Sequence, residues 1–203
     1  MSARVILLGG APLLGKTVVG RKLAVRLEYG CLATDDLADG IMAVTTEQTH
    51  PHLHLLEQRD HRKYFVTRSV ARMVADAEYR NEGLWPAVKR VIVKHAEWAP
   101  PVVIEGWHLV PKKVAQLGMG GILSLWLVGD DEVFRERVLE QSVSFEQTSM
   151  GEELVRKFIE RSIALNKGIR EGAESFGLPV VKIAQGDTIE KVVEDCWRIA
   201  ASS

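Results

Sequence analysis

Residues Gly10-Ala11-Pro12-Leu13-Leu14-Gly15-Lys16-Thr17 satisfy the pattern G-x-x-x-x-G-K-[ST] without a mismatch. The chemistry of such a loop is polyphosphate binding. Its glycines let the backbone wrap closely enough to aim N–H groups at phosphate oxygens, and the helix that opens at Lys16 adds positive potential. In that arrangement Lys16 bridges the β and γ phosphates of ATP and the Thr17 hydroxyl ligates Mg²⁺, with Val18 the next residue in reach. Leu13 and Leu14 are bulkier than residues often found there; they could narrow the loop, but they do not remove its N–H donors.

Two acidic positions follow. Thr34-Asp35-Asp36 closes a short apolar stretch. At the carboxyl end of a parallel strand, a carboxylate can take a proton from a substrate hydroxyl or fix a metal-bound water, the roles assigned to Asp35. Asp36 reads as the N-cap of a helix over 37–42, or as part of the metal and substrate shell. Glu105 ends the run Pro101-Val102-Val103-Ile104-Glu105-Gly106-Trp107-His108. A carboxylate after so apolar a strand is costly without a partner, which points to Mg²⁺ or substrate. Trp107 reads as a pocket wall. His108 reads either as a substrate contact or as a donor to a loop carbonyl.

Phosphoryl transfer also needs positive charge at the γ-phosphate, often an arginine on a lid. Arg135 and Arg137 precede a polar stretch at 141–151, and Arg156, Lys157 and Arg161 follow it. Arg137 and then Arg161 are the candidates. The competing reading pairs these arginines with Glu132, Glu136, Glu152 and Glu160 on solvated helix faces. Arg68 and Arg72 lie four apart on a helix expected over 60–80, and could reach substrate from one face. His50, His52 and His54 alternate. In an extended segment all three would face one side and could hold a metal, but no second cluster completes a site and Pro51 signals a turn.

The elements that must position these groups are legible as alternating strands and helices. Short apolar runs at 5–8, 31–34, 102–104, 122–128 and 180–183 are bounded by Gly, Pro or Asp and separated by helix-length text, including helices over 16–28, 85–98, 131–140 and 152–174. This predicts an α/β three-layer sandwich with a parallel five-stranded sheet, order 2-3-1-4-5. The 203 residues read as one domain, with a substrate-side helical excursion at about 45–100 and a lid at about 135–161. Lys and Arg total 26 against 27 Asp and Glu, giving a net charge of -1, so no basic field for nucleic acid or an anionic membrane is expected. Mean hydropathy is -0.01, and no apolar run approaches a membrane span of roughly 20 residues. Two cysteines make no disulfide framework, and the N-terminal text lacks a signal-peptide pattern; the expected setting is cytoplasmic.

The phosphate loop, the Thr34-Asp35 strand end and Glu105-Gly106-Trp107-His108-Leu109-Val110-Pro111 together resemble the 2-phosphoglycerate kinase family. More broadly they are similar to the P-loop small-molecule kinases that include chloramphenicol phosphotransferase-like and zeta-toxin-like proteins. The stretch from Ala173 through Gly177-Leu178-Pro179-Val180-Val181 resembles the family's last helix and strand. The resemblance implies ATP- and Mg²⁺-dependent phosphorylation of a small hydroxyl-bearing molecule. It also implies arginines just after the Thr-Asp pair, whereas residues 36–42 here hold no basic residue, which argues against a phosphorylated acid. Two other readings stand beside this one: a nucleotide-dependent regulatory switch with slow ATP hydrolysis, and a phosphotransferase of the toxin or antibiotic type.

Overall fold

An unbroken apolar run becomes a strand only where both of its faces are covered. Strand β1 (Val5–Gly10) meets that condition, with every residue buried. The computed structural model describes residues 3–56, 61–141 and 149–202. β1 pairs in parallel with β3 (Val102–Glu105) on one side and β4 (Ile122–Gly129) on the other. β2 (Gly30–Ala33) extends the sheet beyond β3, and β5 (Val180–Ile183) beyond β4, completing the expected order β2-β3-β1-β4-β5.

Side chains of β1 alternate between two cores. Ile6 and Leu8 enter a layer with Val19 and Leu23 of α1 (Lys16–Leu27) and Val192 and Cys196 of α8 (Ile189–Ala201). Val5 and Leu7 face the opposite layer, where Leu84, Val88 and Ile92 form a stripe at helical spacing on α4 (Val70–Glu97). Trp126 of β4 fills this second core and is fully buried. Three layers result, as the strand pattern predicts.

The excursion differs from its sequence reading. Instead of helices over 60–80 and 85–98, a short α3 (His61–Thr67) precedes one 28-residue α4. The break falls where the Ser69 hydroxyl accepts the Arg72 N–H at 3.2 Å, an N-cap that starts a new helix. Pro86 lies inside α4, and the buried Leu84 and Val88 on either side hold the helix across it. Residues 45–56 are turns closing in a 3-10 turn (His54–Leu56), so the three histidines do not align. His52 stacks on Tyr79 with centroids 3.9 Å apart, His54 Nε2 meets the Thr45 hydroxyl at 2.9 Å, and His50 Nδ1 meets the Thr49 hydroxyl at 3.0 Å.

Helix α2 (Thr34–Met42) begins three residues earlier than expected, with Ala33 as its cap. Asp36 therefore sits in the first turn, exposed, and is not the N-cap; its carboxylate suits the helix dipole there. A short α5 (Pro111–Ala115) follows β3. Arginine-bearing helices α6 (Asp131–Gln141) and α7 (Ser149–Ser175) stand on either side of the polar stretch; α7 begins three residues earlier than the expected 152, and residues 142–148 lie outside the described ones. Among the described residues no helix is long and apolar enough to cross a membrane.

Candidate active site

Register places the strand ends in one row. Leu8 and Ala33 both lie opposite Glu105, and β1 runs two residues further to Gly10, so the loops after all three strands open at the carboxyl edge of the sheet. The first of these loops carries residues 11–15. Gly15 turns it into α1 with φ +76°, a left-handed geometry that glycine adopts without strain. No side chain caps α1, which leaves its first-turn N–H groups directed at the loop's concavity.

Lys16 is buried, and its Nζ donates to the Ala11 carbonyl at 2.7 Å. Burial lowers its pKa to about 8, against the pull of Glu105 and Asp35 in the other direction. Leu14 does not narrow the loop. Its side chain is fully buried in the core with Val133 and Phe134, because the backbone turn aims it away from the phosphate side. Leu13 adopts φ +72°, and its carbonyl accepts from Arg137 Nη1 at 2.8 Å, tying α6 to the loop. The Val18 side chain is about half exposed on α1.

Glu105 is almost fully buried, which raises its pKa, while a hydrogen bond from the Thr17 side chain and the charge of Lys16 act to lower it. Gly106 follows because nothing larger fits: a Cβ there would overlap the Thr34 hydroxyl. The ends of β2 and β3 are thereby locked against each other. Asp35 then stands beside the residues after Gly106. Trp107 Nε1 donates to Asp35 Oδ1 at 2.9 Å, and His108 Nε2 lies 3.4 Å from the same oxygen. Burial pushes the Asp35 carboxyl up, but the His108 and Trp107 contacts and the charge of Lys16 outweigh it, so the pKa falls below the ordinary value.

His108 meets neither expectation from the sequence. It is 1% exposed, and its Nδ1 pairs at 2.7 Å with Asn81 Oδ1 of α4 rather than with a loop carbonyl. Burial lowers its pKa, against the pull of Asp35 in the other direction. It stands behind Asp35 as a support. Trp107, expected from the sequence as a pocket wall, is placed between this acid and a group of arginines.

Arg161, on α7, is 9% exposed, with its guanidinium 5.5 Å from the Trp107 ring and 5.8 Å from the Phe65 ring. Arg80, on α4, lies 5.9 Å from the same tryptophan, and its Nη2 is 3.7 Å from Met42 Sδ. The buried Nε atoms of both arginines have no hydrogen-bond partner among the described residues. Burial lowers the pKa of Arg161, and the nearby charge of Arg80 adds to the effect. Arg80 thus brings a positive charge beside Met42 from another helix. Arg80 and Asn81 were not singled out in the sequence, although Asn81 interrupts the apolar stripe Ala77, Leu84, Val88 of α4 and so marks a buried polar partner.

Arg68 and Arg72 do not share a helix face, because the Ser69 cap separates them. Arg72 pairs with Asp76 at 2.9 Å, and Asp76 also accepts from the Tyr64 hydroxyl at 2.9 Å. Burial and that bond push the Tyr64 hydroxyl up to about 12. Arg135 and Arg156 pair with Glu132 and with Glu153 and Glu160 on their own helices, the solvated-face arrangement.

No family model matches the chain. It is 21% identical to a 2-phosphoglycerate kinase of Pyrococcus horikoshii over 193 residues, 94% of this chain. The chain spans 63% of the length of that relative. Among solved structures it resembles a gluconokinase from Sinorhizobium meliloti 1021, with TM-score 0.57, 16% identity, and coverage of 98% of this chain and 91% of the other. A shikimate kinase from Acinetobacter baumannii, in complex with shikimate, aligns with TM-score 0.53, 15% identity, and coverage of 98% and 93%. The fold is that of the P-loop small-molecule kinases.

Proposed function

We propose that this chain transfers the γ-phosphoryl group of ATP to a hydroxyl of a small anionic molecule. The observation that carries the reading is Asp35: a carboxylate held charged by Trp107 and His108 at the sheet edge where the phosphate loop opens. The loop N–H groups and Lys16 hold the phosphates. Asp35 accepts the proton of the acceptor hydroxyl as the new O–P bond forms and the bond to the ADP oxygen breaks. Because Trp107 and His108 both approach Oδ1, Oδ2 is the oxygen left for that proton.

A hydroxyl and a carboxylate are the hard oxygen donors that Mg²⁺ takes, and a carboxylate buried as deeply as Glu105 is stabilised by a cation, so Thr17 and Glu105 would hold it. When bound, Mg²⁺ neutralises charge on the phosphates. Arg137 adds fixed positive charge next to Leu13, and Arg161 with Arg80 bind the anionic group of the acceptor. The names of the relatives, kinases of 2-phosphoglycerate, gluconate and shikimate, support an acceptor of this kind.

The test is transfer from γ-labelled ATP to a panel of hydroxy acids, phosphorylated hydroxy acids, sugars, nucleosides and hydroxylated antibiotics, with Lys16→Ala as the blank. A labelled acid absent from the blank is the expected result. Tight nucleotide binding with only slow phosphate release would instead favour a regulatory switch.

A further inference from the structure

Pro12 of the phosphate loop and Trp107 also line a cavity of about 150 Å³ that the reaction described above leaves unused. Its walls are Val74 from α4, Leu109, Val110 and Pro111 from the stretch after β3, and Leu165 and Ile169 from α7. Glu78 and Asn81 are its polar lining side chains besides Trp107. A cavity of this volume with apolar walls accommodates a benzene-sized group, roughly six carbons. Polyols and small phosphorylated acids have nothing to place there.

A second feature points to the same space. Two glycines interrupt α7 on the side of the cavity, and packing explains only one of them. A Cβ at Gly172 would press on Pro111 at 3.3 Å, so close approach of α5 calls for glycine there. A Cβ at Gly168 would meet nothing within 4 Å, and Gly168 lines the cavity. Glycine in a helix interior is disfavoured relative to alanine. Gly168 is exposed, so it stands at the mouth of the cavity, where a side chain would cover the opening.

We propose that this cavity is the subsite for an apolar body of the acceptor, a five- or six-membered carbocycle or an alkyl chain of similar size. The inference rests on the kinase reading and narrows it. The acceptor is a hydroxy acid whose anionic group meets Arg161 and Arg80 around Trp107, whose hydroxyl meets Asp35, and whose carbon skeleton fills the space between α4 and α7. Trp107 lines the cavity and also contacts Asp35 and both arginines, which puts the three sets of groups around one side chain. Specificity then comes from the apolar part, because each buried methylene strengthens binding about fourfold.

The probe is cyclohexanecarboxylate, which has the ring and the anion but no hydroxyl to phosphorylate, compared with acetate by calorimetric titration of the full chain. Cyclohexanecarboxylate should bind at least about tenfold more tightly than acetate. Gly168→Leu should remove that preference while leaving acetate and ATP binding unchanged, and Gly168→Ala should reduce it partly. Both variants should melt no lower than the parent protein, since each improves helix propensity. Equal affinity for the two acids, or a Gly168→Ala protein that melts normally and keeps the full preference, overturns the proposal. If no labelled product forms from any acceptor but the ring preference persists and Gly168→Leu abolishes it, the cavity assignment stands and the kinase reading falls. If transfer occurs and small acids without a ring serve as well as ring-bearing ones, the kinase reading stands and the cavity assignment falls.

Discussion

Lys16 carries its charge at a cost in the free protein, and that cost sets a pH dependence of nucleotide binding. Its pKa is lowered to about 8 from 10.5, chiefly by burial. Phosphates bind the ammonium form, so the nucleotide complex holds Lys16 protonated well above pH 8. Below pH 8 the cation is already present and affinity is flat. Above it, binding must recruit a proton, and the dissociation constant rises by the factor 1 + 10^(pH − 8). Between pH 7 and pH 9 that is about tenfold, near 1.4 kcal/mol. Titration calorimetry in two buffers of different ionisation enthalpy reads both parts: affinity should fall above pH 8, and close to one proton should be taken up per ATP at pH 9. Lys16→Met should bind more weakly at all pH values, with no slope and no uptake. The sign for folding is opposite: the unfolded chain holds this proton more tightly, so the nucleotide-free fold gains stability as pH rises from about 8 towards 10.5. Affinity constant from pH 7 to 9.5, or the same slope in Lys16→Met, would refute the reasoning.

Four further outcomes follow from particular contacts. Asp35→Asn should lower transfer by about 10²–10⁴-fold, while ATP affinity changes only a few-fold; a large loss of ATP affinity would make Asp35 a metal or structural residue. Arg161→Met should raise the KM for an anionic acceptor by roughly 10–100-fold, leave the KM for ATP unchanged, and stabilise the free protein, because a buried cation whose Nε has no partner among the described residues is removed. Gly106→Ala should cost about 1–3 kcal/mol in urea unfolding, since the new methyl displaces Thr34 and with it the junction of β2 and β3. Ser69→Ala should cost about 1 kcal/mol, and hydrogen exchange should show it as fraying of the first turn of α4.

The phosphate loop, the sheet order and the two acidic strand ends were legible in the chain itself. Each is a local signal: a spacing of glycines and a lysine, or an apolar run between breakers. Local hydrogen bonding misled at two places. The serine at 69 begins a helix that the apolar pattern runs through, and Asp36 sits inside a helix that it was expected to cap. What the tertiary structure alone decided is the company each side chain keeps. Trp107 reaches Asp35 across 72 residues of sequence, and the partner of His108 is Asn81, a residue whose role shows only when α4 is laid against the loop after β3. Arg80 and Arg161 come from different helices to one tryptophan, so no stretch of sequence contains the cluster. Leucine at 14 is bulky in the text and harmless in the fold, because a left-handed turn at Leu13 sends it into the core. Sequence spacing specifies which groups a segment offers, whereas packing between segments determines which of them share a low-dielectric site. The strengths of the charges there depend on that second choice.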